Sequence, residues 1–134
     1  MIGDIRSKLI TLISTDAIKA YLDTFTIGAN EHYAIFVGKM IPEVYQDLNN
    51  TILIYRVSPQ GSGDIRPLNY TVNCRQSTEL NSIALADLVY DVLNRTFHTI
   101  TDGDMYMQAV IQPTIYEDEN CWNCPVEINV RNNL

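Results

Sequence analysis

The chain of 134 residues has the length of one domain, and at this size roughly two-thirds of the unfolded surface can be buried around one core. Apolar residues make up 46% and charged residues 19%, which excludes wholesale disorder; no apolar run reaches the roughly 18 residues that a membrane span needs. The net charge is −7 and no two of the nine Lys and Arg are adjacent, which argues against a basic patch gripping nucleic-acid phosphates but suits a surface that a nucleic acid passes without sticking.

Ile2, Ile5, Leu9, Leu12 and Ile13 recur at helical spacing and predict a helix over 3–14. With Asp4 and no long apolar stretch, this segment does not read as a secretory leader. A reducing compartment is therefore expected for the odd set Cys74, Cys121 and Cys124, and the Asn-x-Thr matches at Asn49, Asn69 and Asn94 are read as chance. A short helical turn after Asp16 carries Ala17, Ala20 and Tyr21, and Gly28-Ala29-Asn30 breaks it. Residues 33–37 form a β-rich run with Gly38 and Pro42 behind it, so this strand is short or at an edge. Residues 51–57 (TILIYRV) read as a central strand and 58–67 as a polar Gly/Pro loop. Over 68–76, Tyr70, Val72 and Cys74 alternate with Thr71, Asn73 and Arg75, the pattern of a half-buried strand.

Ser77-Thr78 then offers an N-cap and Glu79 sits in the first turn, so a helix runs over 78–94. Asp87, Asp91 and Asn94 make one narrow polar stripe on it and nearly everything else is apolar. A core-facing helix usually shows an apolar arc of roughly 100°. This wider arc places the helix centrally or gives it a second face for another subunit. The subunit contact is the preferred reading, through Leu85 and Val89, with the arc at Ile83 and Tyr90 as the alternative. Residues 105–112 form a strand stopped by Pro113, 116–120 an acidic turn, and 122–131 the clearest alternation in the chain. The order α, β, β, β, α, β, β predicts one α+β domain over 1–134. Its mainly antiparallel sheet of four to five strands is covered by the long helix and the N-terminal helix.

Candidate chemistry is sparse. Cys121-x-x-Cys124 resembles half a zinc site, yet zinc needs four ligands and only Cys74, His32 and His98 remain, none suitably spaced. On a strand, three residues span ~10 Å, beyond the roughly 7 Å Cα limit of a disulfide, and the two side chains point to opposite faces. Cys124 is read as core and Cys121 as a turn residue, with neither zinc nor a disulfide. His98 and His32 are read as helix C-cap or surface residues. Gly61-Ser62-Gly63 lacks the Gly-Lys-Ser/Thr ending of a phosphate loop. Glu117, Asp118, Glu119 and the Asp102-Gly103-Asp104 turn match no hard-cation loop and read as solvated turns. No acid–base pair, triad or cofactor fingerprint emerges, so the expectation is a non-enzyme with no cofactor, no metal and no membrane association.

Four segments carry a resemblance. They are IRSKLITLI; YAIFVGKMIPEVY with TILIYRV; the strand–Arg–helix unit YTVNCRQSTELNSIALADLVYDVLN; and the terminal pair MYMQAVIQPTIYEDENCWNCPVEINVRN. Together they cover most of the chain and resemble the tail terminator proteins of long-tailed bacteriophages. The resemblance implies a structural virion protein of the neck, assembled in the host bacterial cytoplasm. Copies would form a ring, hexameric in number, at the head-proximal end of the tail tube. The ring would end tube polymerisation, meet the tail tube protein on one side and the head-tail connector proteins on the other, and let DNA cross its hole without sequence-specific binding. The alternatives are a head-completion or tail-adaptor protein of the same neck, or, in another class, a small metal-binding module using Cys121 and Cys124.

Overall fold

The computed structural model describes residues 2–57, 68–100, 103–118 and 121–133. In chain order the elements are α1 (Ile2–Ile13), α2 (Asp16–Lys19), β1 (Thr24–Ile27), β2 (Asn30–Tyr33), β3 (Ile35–Val37), β4 (Thr51–Val57), β5 (Leu68–Gln76), α3 (Glu79–Leu93), β6 (Thr96–Ile100), β7 (Gly103–Ile111), β8 (Ile115–Asp118) and β9 (Cys121–Asn133). A 3-10 turn at Glu43–Tyr45 lies before β4. The expected loop at 58–67 falls outside the described residues, as do Asp102, Glu119 and Asn120 of the expected turns.

Strand β9 is the axis of the main sheet, whose order is β3-β4-β5-β9-β7-β6 with β8 also on β9. Its alternation assigns the faces: Cys124, Val126, Ile128 and Val130 are buried on the helical side, directly across from Cys74, Val72 and Tyr70 for the first three. A proline inside a central strand needs an explanation, because it removes a ladder donor. Gln112 N donates to the Pro125 carbonyl at 2.8 Å, so the missing N–H of Pro125 faces the break between β7 and β8. The Cys124 thiol takes up the carbonyl left without that donor, reaching Gln112 O at 3.5 Å.

The helices cover the inner face. Thr78 caps α3, its hydroxyl accepting from Asn81 N at 3.2 Å; Thr15 does the same for α2 through Ile18 N at 3.3 Å. Leu85, Ala86, Val89 and Leu93 of α3 join Ile5, Leu9 and Ile13 of α1 and Ile18 of α2 in one core with the strands. A second, smaller cluster on the opposite face joins Ala34, Phe36, Ile41 and Leu53. It holds the β1–β2 hairpin by Phe25, whose ring lies 4.4 Å from that of Tyr45 and 5.3 Å from that of Phe36.

The class is α+β, as the order of elements predicts, but the architecture is richer than four to five strands under two helices. Among the described residues the main sheet has seven strands, the hairpin forms a separate two-stranded sheet, and a third, short helix is present. The Gly28 break is the turn of that hairpin, with φ +61, a conformation that suits glycine. The 33–37 run divides between β2 and β3, and β3 lies at the edge, parallel to β4. The acidic stretch expected as a turn contributes β8, and Cys121 opens β9, buried rather than in a turn. No helix among the described residues is long and apolar enough to cross a membrane.

Candidate functional site

The four predicted contact residues separate in the structure. Leu85 and Val89 are fully buried within the chain's own core, so the expectation that they meet another subunit is corrected. The second apolar face of α3 has its partner within the same chain: the sheet lies against one side, and α1 and α2 pack on another. Tyr90 is half-buried against the same core, and its hydroxyl accepts from Asn94 Nδ2 at 2.8 Å. Of the four, Ile83 offers the most surface, 38% exposed, beside the more open Leu80 at 76%.

On the outer face of the sheet, Asn69, Thr71, Asn73 and Arg75 of β5 stand across from Asn129, Glu127, Pro125 and Asn123 of β9. The amides bond across the strands, Asn129 to Asn69 and Asn73 to Asn123, each at 2.9 Å. Arg75 anchors the end of this face. Its Nε and one terminal nitrogen reach the same Glu117 carboxylate oxygen at 3.1 and 2.8 Å, and the other terminal nitrogen donates to Thr51 Oγ1 at 3.1 Å. Burial pushes the Glu117 carboxyl up, but hydrogen bonds from Arg75 and Asn123, and the Arg75 charge, outweigh it and leave the group below the usual glutamate value. Glu117 thus behaves as a tether for Arg75 rather than as a base. Toward the other end of the face the rings of Phe97 and Tyr106 lie 4.6 Å apart, and Phe97 is 78% exposed.

A concavity of about 460 Å³ runs from this face around the edge of β7 to the end of α3, with Asn69, Gln108, Val110, Glu127, Tyr90 and Asn94 among its walls. Asn94 sets its geometry. Arg95 takes a left-handed φ of 56°, which turns the chain from α3 straight into β6, and Asn94 Oδ1 accepts from Ala109 N at 2.9 Å. The amide therefore fills the ladder position one step beyond the end of β6. The sequence places Asn94 in a polar stripe, but nothing in it marks this role, which depends on a strand 15 residues on.

The nucleophile candidates are quiet. Burial raises the Cys74 thiol well above its ordinary value, with Cys124 adding to the effect, and burial together with Asp87 raises Cys124; buried, neutral thiols are poor nucleophiles. Cys74 and Cys124 are free thiols. Cys121 directs its thiol to the Glu117 carboxylate at 3.5 Å, on the face opposite Cys124. Burial, then the Lys8 charge, lowers His98, whose Nε2 lies 2.9 Å from Thr96 Oγ1. His32 stacks on Phe25 at 5.5 Å between ring centres. Among the described residues no three His, Cys, Asp or Glu side chains gather as a metal site would require. The arrangement can bind and pack. Comparison with known proteins returns no match to a family model, a curated protein or a solved structure.

Proposed function

We propose that this chain is a structural virion protein of a long-tailed bacteriophage. In this reading it is a tail terminator, whose copies close a hexameric ring on the head-proximal end of the tail tube, stop tube growth and present a surface to the head connector. The observation that carries the reading is the placing of large apolar side chains left in water. Met40, Val44, Leu80 and Phe97 are 75%, 82%, 76% and 78% exposed and lie on three parts of the domain, the β3–β4 connection, the start of α3 and β6. A subunit with ring neighbours on two sides and axial partners above and below needs apolar surface in several directions. The net charge of −7 fits a ring that DNA crosses without adhering. A head-completion or tail-adaptor role would use the same surfaces on a different partner. The metal-module reading gains nothing from the geometry, since Cys121 and Cys124 project to opposite faces of one strand.

Sedimentation velocity and negative-stain microscopy of the purified protein test the reading together with a tube-capping assay. Rings of six copies, and arrest of tail-tube elongation when the protein is added to growing tubes, are the expected results. A protein that stays monomeric at high concentration and leaves tube growth unchanged would overturn it.

A further inference from the structure

Among the described residues several strand edges carry no partner, and two of them are equal in length and opposite in flanking charge. The first is the outer side of β3, which ends the sheet. Ile52 N donates to the Ala34 carbonyl at 2.9 Å and Gly38 N to the Ile54 carbonyl at 2.7 Å, so the backbone groups of 34, 36 and 38 turn toward β4. By the alternation of a strand, those of Ile35 and Val37 turn outward, and the Val37 side chain is 48% exposed. A lysine flanks each end of this edge. Lys19 lies over the ring of Tyr33 at 5.1 Å, and Lys39 over that of Tyr55 at 5.7 Å.

The second stretch is β7 beyond the reach of β6, whose pairing stops at Met107. Ala109 N faces away from β9, toward Asn94, whereas Gln112 N faces β9. The Ala109 carbonyl and both backbone groups of Ile111 therefore look out on the bare edge. Helix α3 runs beside it, tied at its start by Glu79 to Thr114 at 3.0 Å and at its end by Asn94 to Ala109. The polar stripe of α3 thus borders this edge, with Asp87 near Cys124 and Asp91 between Asp87 and Asn94; both carboxylates are exposed. Val110 offers an apolar side chain, 57% exposed, on the outer side.

We propose that β3 of one copy adds as a strand to the bare edge of β7 in the next copy, with Lys19 and Lys39 set against Asp87 and Asp91. The two half-sites differ and lie on one chain, so the contact is head to tail, the kind that a rotation can close into a ring. The occupant is a second copy because charge complements charge and three bare residues meet three. Of the other unpaired edges among the described residues, the outer side of β6 has Lys8 beside His98; Arg95 lies between that edge and the bare end of β7 and shares a concavity with Ala109 and Val110. This inference rests on the ring reading and names the surfaces that make the ring.

Two charge-reversed variants test it, Asp87→Lys with Asp91→Lys, and Lys19→Glu with Lys39→Glu. Each turns two attractive pairs into repulsive ones and should raise the concentration for half-assembly on the order of tenfold at low salt. Circular dichroism checks that each is folded. An equimolar mixture should assemble like the wild type, because the reversed edge of one variant suits the reversed edge of the other and the copies can alternate around a six-membered ring. Either variant assembling like the wild type, or a mixture no better than its parts, overturns strand addition and leaves the tail terminator reading in place. Rings that respond as expected but do not arrest tail tubes overturn the reading and leave the contact. Wild-type protein that never self-associates overturns both.

Discussion

Leu85→Ala decides whether α3 is a core helix or a contact helix. Leu85 is fully buried in the cluster that holds Val89, Val126 and Ile128. Truncating such a side chain loses its transfer free energy and leaves a cavity, at a cost of about 2–5 kcal/mol. That is a large share of the roughly 5–15 kcal/mol that holds a domain of this kind folded. With a urea slope of about 2 kcal/mol/M, a loss of about 3 kcal/mol moves the midpoint down by about 1.5 M. Leu80→Ala is the control on the same helix: its side chain is 76% exposed, and a surface change of this sort stays within about 0.5 kcal/mol. Both are measured by circular dichroism in urea at one fixed protein concentration, since any self-association would also stabilise the fold. The reasoning fails if Leu85→Ala leaves the midpoint within about 0.2 M of the wild type, an order of magnitude below a cavity cost, while self-association is lost.

Arg75→Gln removes the group that holds the Glu117 carboxyl below the usual 4.5. A depressed carboxyl contributes stability that is present above its unfolded value and is lost as pH falls through its folded value, so the wild type should lose more stability than the variant between pH 5 and pH 3 in urea titrations. His98 lies below the usual 6.5 because of burial and then Lys8. The unfolded chain therefore takes the proton first, and the contribution of the neutral ring is full above pH 6.5 and erodes as pH falls toward the folded value; His98→Asn should flatten that part of the stability profile. Iodoacetamide should label none of Cys74, Cys121 and Cys124 in the native protein, each at most 1% exposed, and all three once it is unfolded, as counted by intact mass.

The elements legible in the sequence are those that carry their own periodicity. The alternation at 122–131 lies inside β9, that at 68–76 is β5, and the cap at Thr78 with the apolar run behind it is α3. Strands β1, β2, β6 and β8 are four or five residues long, too short for a period to show. They exist because of partners elsewhere: β6 needs β7, and β8 needs the start of β9. Helix α3 shows how a correct local reading meets a distant answer. Its wide apolar arc does mean two buried faces, but the second is met by Ile5, Leu9 and Ile13 of α1, some 70 residues earlier in the chain. The site is less legible than the fold for the same reason. Arg75 reads as a strand-end residue, whereas the partner that fixes it, Glu117, lies 42 positions away.

The stripe of Asp87, Asp91 and Asn94 joins the helix pattern to the sheet edge. A bare edge flanked by exposed apolar side chains invites any strand, and charged side chains are the usual guard against that. Had α3 been apolar on this side, the edge at Ala109 and Ile111 would attract strands of every kind. Asn94 satisfies one donor of the edge, at Ala109 N, and the two carboxylates border the rest. An edge guarded by negative charge repels its own copy, which opposes back-to-back dimers, while it accepts an edge flanked by lysines, such as β3 with Lys19 and Lys39. The same charges that prevent indiscriminate pairing therefore favour head-to-tail pairing, and a ring needs contacts of that polarity at every junction.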